Sequence, residues 1–266
     1  MSFSPTDTIY VALACYAVGT SIAFASLVTR DKRPQHSALI VMIGGFAAHT
    51  MWIGTICART GHPPLTNLPE TAAFIAWTIF AVELALYVRY RVYAAAFFVY
   101  PLVLLLLTLS AVVGEPFAHL DPALRSNIFT AHILLTTLGV AGLFIGLSFT
   151  LLAYAQDRAL KSKRRGRLWE WIPSLDVCKL VSYRALAVGF SLYTAGLLAG
   201  VMWSYRTTSG PMDLRVKQIG AVVAWLFFAA LLQTYISGEY RRRRTIFISA
   251  GAFVSIVIAI LGIAHG

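Results

Sequence analysis

The chain has 266 residues, 58% of them hydrophobic and only 12% charged, with a formal net charge of +11. A soluble domain carries about 25% charged residues. Half that fraction, with a mean hydropathy of +0.72, excludes a soluble enzyme or a nucleic-acid-binding module and leaves one integral membrane domain spanning 1–266.

Eight mostly apolar stretches predict an all-α fold, a polytopic membrane helix bundle of about eight transmembrane helices: 8–28, 38–57, 70–88, 93–113, 128–154, 181–203, 218–236 and 245–264. About 20 apolar residues suffice to cross the ~30 Å hydrocarbon core. Helix is the expected form because lipid offers the backbone no hydrogen-bond partner. The first stretch lacks a basic leading region and runs longer than the apolar core of a signal peptide, so it is expected to stay as a helix. The fifth is longer than a span requires, and tilts or projects from the bilayer.

The loops set the orientation. Arg30, Lys32 and Arg33 follow the first stretch, Arg89 and Arg91 the third, and Arg241 to Arg244 the seventh. The longest basic loop, between the fifth and sixth stretches, holds Arg158, Lys161, Lys163, Arg164, Arg165, Arg167 and Lys179, with Arg184 just beyond. Together these are 17 of the 22 basic residues. Lys and Arg collect in cytoplasmic loops, so both termini are expected outside. The surplus charge belongs to these loops and not to a nucleic-acid interface. Trp169 and Trp171 fit a loop lying on anionic headgroups.

That orientation sorts the polar residues. His62, His119, His132 and His265 fall at the outer side, and His49 in the outer half of the second span; His36 alone lies in a cytoplasmic loop. His132 stands at the mouth of the fifth span, where the sequence EPFAHLDPALRSNIFTAHILL also carries His119 and Arg125. His132 and His265 lie on helices distant in sequence but expected at one depth. Haem iron takes axial imidazoles from its two faces, so this pair has the placement of haem ligands. Trp203 and Trp225 could line a porphyrin, and Arg125, Arg206 or Lys217 could meet its propionates. His49, beside Phe46, Trp52 and Ile53, is either a ligand facing a cofactor or a hydrogen-bonded packing histidine. His119 is a ligand, a gate or a polar loop residue. Glu83 lies near the inner end of the third span, within reach of water or Arg89. The cysteines, Cys15, Cys57 and Cys178, form no C-x-x-C and no C-x-x-C-H, which excludes covalent haem attachment to this chain. The glycine pairs Gly142 with Gly146, and Gly196 with Gly200, signal close helix packing.

Four stretches carry a family likeness: LTNLPETAAFIAWTIFAVELALYVRYR, LDPALRSNIFTAHILLTTLGVAGLFIG, ALKSKRRGRLWEWIPSLDVCKLVSYRALAVGFSLYTAGLLAGVMW, and VKQIGAVVAWLFFAALLQ followed by RRRR. In order and spacing they resemble the CcsA/CcmC-type cytochrome c assembly family, nearest to short eight-helix CcsA-like and YpjD-type members. The resemblance covers most of 65–264. It implies non-covalent haem b at the outer face of a bacterial inner membrane. It also implies delivery of that haem to an apocytochrome c, or work beside another cytochrome assembly membrane protein. It matches His132 to the family's outer histidine before a helix and His265 to the later one. Two features depart from the family. The W-x-W-D-P-K-E stretch expected between Trp203 and Trp225 reads SYRTTSGPMDLRVKQ, where only Lys217 fits, and the histidine that full-length synthases carry in span 7 falls at Gln233. The alternative is a non-haem accessory or scaffold subunit that keeps the fold without the cofactor. A solute or proton transporter ranks last, because the polar groups cluster on one side.

Overall fold

Among the described residues the backbone satisfies itself largely within helices. The computed structural model describes residues 5–29, 31, 33–61, 63–65, 67–91, 93, 95–113, 126–162, 172–207, 216–238 and 243–261. They form α1 (Pro5–Thr29), α2 (Arg33–Thr60), α3 (Leu68–Tyr90), α4 (Ala96–Val113), α5 (Asn127–Ser162), α6 (Leu175–Thr207), α7 (Val216–Ile236) and α8 (Arg243–Leu261). No strand occurs among the described residues. The first seven helices are long and apolar enough to cross a membrane, and α8 presents a shorter apolar run, Arg244–Ile258. The chain is thus an all-α polytopic membrane protein. Large apolar side chains such as Leu105, Leu198 and Phe247 stay exposed, as lipid-facing positions do.

Most helices overrun the spans expected from hydropathy. Hydropathy measures what lipid tolerates, whereas the helix continues as long as its residues favour it. The AQDRALKS tail of α5 is polar yet rich in helix formers, and Lys161 pairs with Asp157 at 2.6 Å across one turn. Local signals fix the ends. The Asn67 side chain accepts from the Glu70 N–H at 2.8 Å, with Pro69 in the first turn of α3. Arg91 closes that helix in the left-handed region, φ 54, its N–H reaching the Tyr87 carbonyl at 2.7 Å. Asn67→Ala is expected to cost about 1 kcal/mol, the worth of such a cap, read as a lower unfolding midpoint in detergent.

The helices cluster as two compact units, residues 1–120 and 121–266. In the first, α1 packs on α2 and α4, and α3 on α4 and α2. Gly19 and Gly45 let α1 and α2 approach: a Cβ on Gly45 would stand 2.8 Å from the Tyr16 ring and 2.9 Å from Cys15. In the second unit, α5 and α6 form the main antiparallel pair, with α7 against α6 and α8 against α7 and α5. The α5–α6 seam is built on small residues. A Cβ on Gly139 would sit 2.6 Å from the Tyr193 nitrogen, one on Gly189 2.7 Å from the Leu143 nitrogen, and one on Gly146 2.7 Å from Leu186. Farther along the same seam, Tyr235 donates to Thr150 at 3.0 Å, Thr150 meets Ser182 at 2.7 Å, and Ser182 donates to the Gly146 carbonyl at 2.8 Å. Interhelical hydrogen bonds in membranes average about 0.6 kcal/mol, so Ser182→Ala is expected to lower the unfolding midpoint only slightly. Part of that loss should vanish when Thr150 is already valine, leaving the share that comes from the bond to the Gly146 carbonyl.

Candidate functional site

The site begins with the N-terminal turns of α5. The Ser126 hydroxyl accepts from the Phe129 N–H at 3.1 Å, and its carbonyl from the Thr130 N–H at 3.1 Å. This capping starts the helix at a defined residue and so fixes the angular position of His132, on its second turn. The antiparallel α6 ends alongside. His132 Nδ1 lies 2.7 Å from the Gly196 carbonyl. A carbonyl can only accept, so Nδ1 carries the proton and donates. Helical carbonyls have a second lone pair, which lets Gly196 serve both its own helix and the imidazole.

The neutral ring then has its Nε2 lone pair outside this bond. A second-side hydrogen bond of this kind, Nδ1–H to a backbone carbonyl, is the usual way a metal-ligating histidine is oriented and made more basic. The ring rests on α6 at Gly200, whose added Cβ would lie 2.7 Å from both Cε1 and Nδ1 of His132. An aromatic wall stands beside it. The Phe129 and His132 centroids are 6.5 Å apart, and Phe129 packs at 5.0 Å against half-buried Trp203. Arg206, one turn beyond Trp203, is exposed in the last turn of α6.

Other candidate residues distribute differently. Trp225 is placed in the α6–α7 contact: its indole donates to Thr194 at 2.9 Å and its ring lies 5.4 Å from Phe190. His119, Arg125, His62 and His265 lie outside the described residues, so of the proposed His132–His265 pair only His132 is described.

His49 belongs to the first unit and is 0% exposed. The Tyr16 hydroxyl is 3.4 Å from its Nδ1, and the Tyr16 and Trp52 rings flank it at 6.0 and 5.8 Å. Its buried Nε2 has no hydrogen-bond partner among the described residues. Both sequence alternatives keep support: the ring is packed on aromatics, as a core histidine would be, while an orphaned ring nitrogen is what a ligand would relieve.

Glu83 departs from expectation. It is 2% exposed, and its Oε2 lacks a partner among the described residues. Arg89 instead lies over the Tyr90 ring at 5.2 Å. The reason is angular: six residues along a helix of 3.6 per turn put Arg89 on another face, while Glu83 lies on the face of α3 that is buried with Phe80 and Tyr87. Sequence reasoning missed Phe129 and the role of Gly200 at the His132 ring. An antiparallel register between the glycine pairs of α5 and α6 would have brought both forward.

Among the described residues, no three His, Cys, Asp or Glu side chains gather as a metal-ion cage. Haem needs no such cage, because the porphyrin supplies four nitrogens and the protein one or two axial ligands.

Comparison with known proteins places the chain. The family profile described as cytochrome C assembly protein matches residues 65–265. The cytochrome c biogenesis protein CcsA of Guillardia theta is 28% identical over 233 residues, covering 80% of this chain and 77% of its own. That of Prochlorococcus marinus (strain MIT 9301) is 27% identical over 227 residues, covering 77% and 74%. That of Synechococcus sp. (strain CC9902) is 24% identical and covers 96% and 91%. The profile match takes in α5, α6 and the His132 site, whereas His49 and Tyr16 precede it. By that match, the chain belongs to the cytochrome c assembly protein family.

Proposed function

We propose that this protein holds haem b, without a covalent bond, at the outer face of a bacterial inner membrane and presents it to an outer-side partner during cytochrome c assembly. The partner is an apocytochrome c or another membrane protein of the assembly machinery. The observation that carries the reading is the Nδ1 hydrogen bond of His132 to the Gly196 carbonyl at 2.7 Å. It sets the imidazole in the tautomer an iron ligand needs. Phe129 and Trp203 supply an apolar wall for a porphyrin face. Arg206 offers a cation for a propionate at the same end, with Arg125 and Lys217 as further candidates by sequence. His265 serves as the opposite axial ligand on the family resemblance, and His49 and His119 are further candidate imidazoles by sequence. The concentration of basic residues in the opposite loops puts this end outside, with both termini. Haem is cargo here: the chain orients it, shields one face and releases it.

The accessory-subunit reading keeps one specific support, the departure of SYRTTSGPMDLRVKQ from the family's Trp-rich stretch. A spectrum separates the two. The protein purified from cells with ample haem should show a reduced-minus-oxidised difference spectrum and a b-type pyridine haemochrome. Haem-free protein co-purifying with a stoichiometric membrane partner would instead establish the accessory role.

A further inference from the structure

We infer that Gly196 and Gly200 of α6 are positioning residues that set how the His132 imidazole is presented, Gly196 by its carbonyl and Gly200 by its missing side chain. The inference rests on the reading of His132 as a haem ligand and extends it to a pair of residues that touch no iron. The geometry separates the two glycines. A Cβ on Gly196 would strike the Thr136 backbone nitrogen at 2.8 Å and Cγ2 at 2.6 Å, so Gly196 also holds the helices together. The three atoms nearest a Cβ on Gly200 all belong to the imidazole, at 2.7 Å from Cε1 and Nδ1 and 3.4 Å from Cγ. No backbone atom of the neighbouring helix comes closer to it than 3.4 Å. An alanine there displaces the ring and leaves the α5–α6 seam in place.

The chemical consequence follows from what the hydrogen bond does. Nδ1–H donation to a carbonyl increases electron density at Nε2, which strengthens bonding to iron and favours the ferric state. Pushing the ring off Gly200 stretches or breaks the 2.7 Å bond. The ring also loses the constraint that fixes its tautomer. Gly200 is therefore predicted to control both the strength of haem binding and its reduction potential. A glycine serving only as helix-packing space would control neither.

The test uses the full-length protein in detergent, with haem as the probe. Gly200→Ala should weaken haem binding on the order of 10- to 100-fold, the usual cost of losing an outer-shell partner. Haem that remains should show an altered axial-ligand spectrum and a midpoint potential shifted to more positive values. A second measurement needs no haem: the unfolding midpoint of the haem-free protein in a double-mutant cycle. G200A should lower the midpoint when His132 is present and cost nothing in the H132A background, because the ring that its Cβ would strike is then gone.

Wild-type and G200A proteins with the same haem affinity, spectrum and potential would overturn the inference while leaving the haem reading intact. A haem-free wild type would remove the haem reading, and the apo cycle would still decide whether Gly200 positions the ring. If G200A fails to accumulate, the G200A/H132A double variant should accumulate normally. Its failure as well would assign Gly200 to helix packing and end the proposal.

Discussion

On the proposed role of His132 as a haem ligand, its replacement by alanine is expected to strip most of the haem from the purified protein while leaving its amount and helicity unchanged. An outer-shell partner of a metal ligand is worth about 10- to 100-fold in affinity, so deleting the ligand itself should cost at least that much. The fold has reason to survive. Among the described residues, half-buried His132 makes one interhelical hydrogen bond, to Gly196. The Ser126 cap and the Phe129–Trp203 contact do not depend on it. His132→Gly should recover haem when imidazole is added, because the vacated space over Gly200 accepts a free ring. His49→Ala provides the comparison in the first unit. If His49→Ala removes the haem and His132→Ala leaves it, the ligand assignment moves to the first unit and the outer-end reading fails.

The eight helices were legible because lipid permits few backbone solutions, so a run of apolar residues nearly specifies its own structure. Their ends were less so: Gln156 and Asp157 look like loop residues to a hydropathy window, yet both are buried in the continuing α5 helix. Gly142, Gly146 and Gly196 were readable as packing positions, and the structure places each against a neighbouring helix. Gly200 looked like another of the same kind, but what it faces is an imidazole. A spacing motif reports that something approaches closely and carries no information about what approaches. The missing quantity was register. Gly196 lies against Thr136 and Gly200 against His132, so four residues forward on α6 match four back on α5. The pairings of Gly139 with Tyr193 and Gly146 with Leu186 keep the same register. Fixing any one of them generates the apposition at His132. Glu83 was the opposite case: its chemistry was visible, but its burial depended on helices around α3 whose arrangement one sequence does not encode locally.

The second large effect should come from that register. Gly189→Leu is expected to abolish accumulation of folded protein, and Gly189→Ala to cost about 1–3 kcal/mol, the range for overpacking a tight interior. A Cβ on Gly189 would meet the Leu143 nitrogen at 2.7 Å, the Gly142 carbonyl carbon at 2.9 Å and the Gly139 oxygen at 3.0 Å. All three are backbone atoms, so no side chain can turn aside and the helices themselves must separate. Gly54 is the control: its added Cβ meets nothing within 4 Å, so Gly54→Ala should leave the unfolding midpoint unchanged or raise it, alanine being the better helix former by roughly 1 kcal/mol. Equal losses at Gly54 and Gly189 would show that the cost is generic to helix glycines and not a property of the seam. The comparison also bears on function. Separating α5 from α6 at Gly189 removes the surface on which His132 lies, so haem and fold should disappear together in a Gly189→Leu variant. Gly200→Ala, at the end of the same seam, should lose haem while the fold stays. A seam that holds the helices at its centre and orients a ligand at its end predicts this divergence, and a purely structural glycine stripe does not.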